Sequence, residues 1–135
     1  MRNDSLRVST VLHARPKEVY AAWMSGKKHG EMTGGAAKIS ERVGGRFAAW
    51  DGYIEGKTLE LAPGKRIVQS WRTSEFSSDD PDSRLEVTFA EAKGGTRITL
   101  KHTNIPPGQG AGYKKGWIEF YFTPMKKYFA GKQDR

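Results

Sequence analysis

Apolar residues recur along this chain with two different periods, and the switches between them divide it into three parts. Leu6, Val8, Thr10 and Leu12 alternate with Arg7, Ser9, Val11 and His13, a period of two that predicts a first strand. Pro16 then stands where a first helical turn tolerates it, and Val19, Tyr20, Ala22, Trp23 and Met24 follow at helical spacing until Gly26. Lys27 to Gly35 reads as a second short helix or a loop. From Ala36 the period returns to two, with strands predicted near 37–40, 46–51, 53–61, 66–73, 84–91 and 96–103. Asp51-Gly52, Pro63-Gly64, Pro81-Asp82 and Gly94-Gly95 punctuate them. Asp51-Gly52 is the strongest of these signals, because a two-residue type I′ hairpin needs positive φ and glycine supplies it cheaply.

Ile105-Pro106-Pro107-Gly108 ends the sheet pattern. Residues 110 to about 131 form the longest helical candidate. Trp117, Phe120, Tyr121, Met125 and Tyr128 make its apolar stripe, and Lys115, Glu119 and Lys126 lie on the far side. Pro124 lacks an N–H and predicts a kink there. Consecutive strands joined by short turns make an antiparallel meander. The expected fold is therefore α+β: a curved antiparallel sheet wrapped around a long C-terminal helix, with a short helical pair between strands 1 and 2. Residues 1–135 suit a single domain with one core.

The chain has no cysteine, which excludes disulfides, thiol catalysis and thiolate metal binding. No stretch approaches the ~20 apolar residues of a membrane-spanning helix, and the N-terminus lacks the apolar core of a signal peptide. The sequence reads as a soluble cytoplasmic protein. The net charge is +8. Lys114, Lys115, Lys126, Lys127, Lys132 and Arg135 crowd the C-terminal end, while Glu75, Asp79, Asp80, Asp82, Glu86 and Glu91 make the middle acidic. Such asymmetry suits solubility or an acidic partner. Nucleic acid is not expected, because the aromatic residues are placed toward the core rather than among exposed basic ones.

Five blocks in order carry a family resemblance. They are Val43-Gly44-Gly45-Arg46-Phe47 with Asp51-Gly52; Leu61-Ala62-Pro63-Gly64-Lys65-Arg66-Ile67-Val68; Trp71-Arg72; Gly95-Thr96 with Ile98 and Leu100; and Gly116-Trp117 with Tyr121-Phe122 and Tyr128. Together they resemble the C-terminal domain type of the activator of the 90-kDa heat-shock protein ATPase, within the START-like (SRPBCC, Bet v 1-like) superfamily and its helix-grip fold. The resemblance runs from about Leu6 to Phe129. It implies a cavity between sheet and helix that takes a small hydrophobic or aromatic ligand, and as an alternative a chaperone partner and a part in stress response. Because the chain opens at the first strand, the expectation is this domain alone, as monomer or homodimer.

The candidate ligand-contacting residues are Trp50, Glu55, Gln69, Trp71, Phe89, His102, Trp117 and Tyr121. Alternation puts His102 on the Ile98 and Leu100 face, where it would be either a hydrogen-bonded core histidine or a base near neutral pH. Trp50, Trp71 and Trp117 either line a cavity or fill a core. Glu55 and Gln69 reach inward if Tyr53 and Trp71 do, with Arg46 or Arg72 as partner for Glu55. His29 is expected in a solvated loop and His13 on the outer face, and no histidine pair has metal-ligand spacing. No Ser-His-Asp order or paired carboxylates point to catalysis, so no cofactor and no enzymatic activity are expected. Gly108 to Gly112 reads as a loop or a lid.

Overall fold

The computed structural model describes residues 3–133. Its inner sheet face follows from alternation on two neighbouring strands. Leu85, Val87 and Phe89 are buried and pair in register with His102, Leu100 and Ile98. Seven strands build the sheet: β1 (Asp4–Leu12), β2 (Lys38–Ile39), β3 (Arg46–Ala49), β4 (Ile54–Ala62), β5 (Arg66–Thr73), β6 (Ser83–Ala92) and β7 (Gly95–Ile105). Their spatial order is β1-β7-β6-β5-β4-β3-β2, and each neighbouring pair is antiparallel. Two helices, α1 (Pro16–Met24) and α2 (Gly26–Thr33), carry the chain from β1 at one edge to β2 at the other. The helix-grip α+β architecture expected from the sequence is the one observed.

The C-terminal helix is not uniform. It runs as α3 (Gly110–Gly116), a π-helical turn (Trp117–Phe122) and α4 (Thr123–Gln133). The Thr123 N–H reaches the Ile118 carbonyl five residues back, and the Thr123 hydroxyl donates to the same oxygen at 3.0 Å. Pro124 explains the widening. In a regular α-helix its ring would meet the Phe120 carbonyl four residues earlier, and a wider turn relieves that clash. The π turn also re-sorts the apolar stripe. Phe120 is 55% exposed, whereas Phe122 and Phe129 join Trp117, Tyr121 and Met125 in the core. Trp117 and Phe122 stand five residues apart, the spacing that a π turn places on one face.

Two expectations about the sheet need correction. The β3–β4 connection is a four-residue loop rather than a two-residue turn, since Ala49 and Ile54 are the last pair. Trp50, Asp51 and Gly52 all have positive φ (51°, 59° and 91°). The Asp51 N–H donates to the Ala36 carbonyl at 3.0 Å, which ties the loop to the segment before β2. Trp50 thereby leaves the ladder and lies over Gly35, where any Cβ would sit 2.5 Å from the indole. Tyr53 belongs to this loop, so inward alternation on β4 starts at Ile54, not Tyr53. Glu55 therefore points outward and is exposed, opposite Arg72 in register. Arg72 instead pairs with Asp82 at 2.9 Å and holds the Ser77 and Asp80 carbonyls, which stiffens the acidic β5–β6 loop.

The start of α3 is capped from far away in sequence. The Asp4 carboxylate accepts from the Gly108 and Gly110 N–H groups, both at 2.9 Å. This satisfies donors that a helix N-terminus leaves unpaired. Gly110 is required by that contact, because a Cβ there would lie 2.7 Å from the Asp4 side chain.

Candidate functional site: an aromatic cavity under the C-terminal helix

A cavity of about 320 Å³ opens between the β3–β4 loop, β5 and the α3–π segment. Trp50, Trp71, Tyr113, Trp117, Phe120 and Tyr121 supply most of its wall. The rings contact one another directly. Trp71 lies 4.9 Å from Tyr113 and 5.5 Å from Trp117 between centroids, Trp117 lies 4.8 Å from Tyr121, and Phe120 meets Trp50 edge-on at 5.7 Å. Gly112 and Gly116 are one helical turn apart on the same side, and their missing side chains leave room between helix and sheet. Deeper in, the space between Trp23, Gln69 and Trp117 shrinks to about 10 Å³, at the limit of what holds a single water. The usable space is thus confined to the mouth, and the centre of the grip is packed.

His102 sits behind this wall, wholly buried, and its bonds fix its form. The Trp117 indole is a donor only, and it meets His102 Nδ1 at 3.1 Å. Nδ1 must therefore carry the lone pair and Nε2 the proton. Nε2–H then donates to Ser83 Oγ at 2.8 Å, and the Ser83 hydroxyl donates to the Trp71 carbonyl at 2.7 Å. Burial pushes the His102 pKa down to about 3. Its lone pair is occupied, so His102 is a neutral structural residue with no base to offer.

His29 repeats the arrangement on the other side, and here the sequence expectation is corrected. It is buried on α2, because α2 packs against α1, α4 and the π turn rather than forming a solvated loop. Nδ1–H donates to the Trp23 carbonyl at 2.8 Å, so Nε2 accepts from the Tyr121 hydroxyl, also at 2.8 Å. Burial lowers the His29 pKa to about 4, against a smaller opposing effect of the Trp23 carbonyl. Burial raises the Tyr121 pKa, and the nearby Trp50 indole offsets part of that rise.

The remaining polar groups at the mouth form a belt. Thr73 bonds the Tyr113 hydroxyl at 2.7 Å, Tyr113 donates to Gln109 Oε1 at 2.6 Å, and Gln109 donates to the Glu75 carbonyl at 3.3 Å. Tyr53 donates to the Glu75 carboxylate. Burial, with that bond, raises the Tyr53 pKa to about 12, and burial raises that of Tyr113. Both phenols stay neutral at ordinary pH and are committed to partners.

Two indoles on the wall differ from the rest. Trp23 donates to Gln69 at 3.5 Å and Trp117 to His102. Trp50 Nε1 is shut off from water and makes no hydrogen bond of normal geometry, although it lies near the Tyr121 hydroxyl. A dry unpaired donor costs about 1–3 kcal/mol. Trp71 is 3% exposed and its indole N–H makes no hydrogen bond among the described residues, but unlike that of Trp50 it is not shut off from water.

Of the sequence candidates, Trp50, Trp71, Trp117 and Tyr121 come together at this cavity. Gln69 lies beneath it, bonded to Trp23 and to Thr58 at 3.3 Å, and His102 lies behind it. Phe89 is elsewhere, edge-on to Tyr20 at 5.7 Å under α1, and Glu55 is outside. Sequence reasoning missed Tyr53, Ile54, Gly112, Tyr113, Gly116 and the lining role of Phe120. The i,i+4 glycines beside an aromatic stripe were an available signal for the helical members of this set, and no such pattern marks Tyr53 and Ile54. The described residues hold no cluster of three metal-ligating groups. The site is an apolar, aromatic-walled space whose titratable side chains are held neutral.

Residues 13–130 match the family model described as "Activator of Hsp90 ATPase homolog 1-like protein". The chain belongs to this family. Among curated relatives of this activator family, the human "Activator of 90 kDa heat shock protein ATPase homolog 1" is 26% identical over 84% of the chain. A Dictyostelium discoideum activator homologue is 26% identical over 93%. The chain spans 33% of the length of each. An HSP90 activator from Plasmodium falciparum shares the fold with TM-score 0.84 at 23% identity, covering 93% of this chain and 96% of that one. The Aha1 dimer from Colwellia psychrerythraea shares it with TM-score 0.78 at 14% identity, covering 96% and 98%. No helix among the described residues is long and apolar enough to cross a membrane.

Proposed function

We propose that this chain is a cytoplasmic, non-enzymatic co-chaperone-type domain that engages a chaperone of the 90-kDa heat-shock class through its outer surface. The observation that carries the reading is the family match over residues 13–130, in a family whose curated relatives are named activators of that ATPase. The test mixes the purified chain with the chaperone of the same organism. Binding by calorimetry and a faster ATP turnover are the expected results. Neither binding nor a rate change would remove the reading.

A second reading is supported by the cavity: a small apolar ligand held between β5 and the α3–π segment. Its volume of about 320 Å³ falls at the lower end of the range for ligand pockets, and its wall is aromatic. Native mass spectrometry and thermal-shift screening with flat apolar compounds test it. Gly116→Leu is the control, since a side chain there grows into the cavity with only the Phe120 ring, 3.9 Å away, in contact with its Cβ. Stabilisation that Gly116→Leu abolishes is expected. No retained mass and no stabilisation would dismiss the ligand.

A further inference from the structure

We propose that the cavity selects an uncharged, flat aromatic molecule bearing a hydrogen-bond acceptor, and that Trp50 and Trp71 select it through their indole N–H groups. This rests on the second reading above and goes further, by naming the ligand's chemistry. The argument is one of matching. The cavity is lined by Trp, Tyr, Phe, Ile and Gly, with no charged side chain, so nothing there would compensate a buried charge. The wall is aromatic on both the loop and the helix side, and aromatic faces and edges favour a planar aromatic partner.

The wall's polar groups are nearly all spoken for. The hydroxyls of Tyr53, Tyr113 and Tyr121 donate to Glu75, Gln109 and His29, and the Trp117 indole donates to His102. What remains without a hydrogen bond of normal geometry is of one kind: the Trp50 donor, which only approaches the Tyr121 oxygen, and the Trp71 donor. A ligand donor would meet only phenol oxygens crowded by the bonds they already make to His29 and Glu75, whereas a carbonyl oxygen or ring nitrogen would meet two indole donors without a well-formed protein bond. Trp50 can turn toward such an acceptor more readily than a core residue. It is only half-buried, sits in a loop outside the ladder, and packs against the largely exposed Phe120. Its backbone is held at φ 51°, a conformation that bulky residues seldom adopt and that tends to persist at sites with a role.

The test uses a matched pair of probes, fluorenone and fluorene, which share shape and differ in a carbonyl acceptor. Titration calorimetry of the unmodified chain should show fluorenone binding about tenfold more tightly. Trp50→Phe and Trp71→Phe should each shrink that ratio. In case a variant folds poorly, the indole N–H signals of the unmodified chain give a second readout. Fluorenone should move the Trp50 and Trp71 signals downfield, and fluorene should not. Equal affinities, or a ratio that both folded variants keep, would overturn the acceptor assignment while leaving the cavity reading in place. Failure of both probes to bind, with Gly116→Leu unchanged beside the parent, would overturn both.

Discussion

At the scale of single residues, two histidines govern how the aromatic centre responds to acid. His29 and His102 are neutral because burial disfavours their charged forms, with pKa values lowered to about 4 and about 3. In the unfolded chain both would titrate near 6.5. As pH falls, the unfolded state takes up protons first, so stability is intact above about 6.5 and is lost progressively toward the folded values. Each histidine contributes a slope of about 1.4 kcal/mol per pH unit in that window. Urea unfolding at pH 7 and pH 5 should differ by about 4 kcal/mol, and a flat profile would contradict the buried neutral assignment. Ser83→Ala tests the relay from Trp117 to Trp71. It strands the His102 Nε2–H and should cost about 1–3 kcal/mol in the same assay. The sequence marked His102 as inward-facing but not its role, because the partners that fix its tautomer come from positions 83 and 117. Glu55 was misread for a smaller reason. One loop residue, Tyr53, was counted as strand, and a shift of one reverses every face.

At the scale of elements, glycine has opposite meanings along one helix. At Gly110 the backbone lies against Asp4, and at Gly116 it borders empty space. Gly110→Ala should therefore lower the melting temperature, since its Cβ would meet the Asp4 side chain. Gly116→Ala should raise it by about 3 °C, because alanine is roughly 1 kcal/mol better than glycine within a helix. Matched thermal melts decide this; a shift of the same sign for both variants would refute the contrast. The strands and their order were legible because each has one wet face and short, punctuated turns. The π turn was not, because helical pattern-matching assumes a constant period and Pro124 alters it locally. The sequence signalled that something must give at Pro124, but not that Phe120 would be turned out and Phe122 in.

At the scale of the whole molecule, charge separates into a knitted part and an open part. Arg66 bonds Glu60 and Glu86 on the outer sheet face, and Arg72 is tied into the acidic loop. Lys126 and Lys127 on α4 are exposed and enter no ion pair among the described residues. If an acidic chaperone surface docks there, Lys126→Glu with Lys127→Glu should weaken binding at least tenfold and leave the melting temperature within about 2 °C, since exposed charges contribute little to stability. Unchanged affinity would move the contact to another face. The Asp4 clasp on α3 has a consequence in time. The bonds from Asp4 to Gly108 and Gly110 span 104 and 106 residues, so β1 must wait for the chain to return through β7 before the helix entrance is pinned. Closures over such separations are slow. The roof of the aromatic chamber is therefore expected to set late in folding, with the Gly108 and Gly110 amides protected from exchange after those of the β6–β7 ladder.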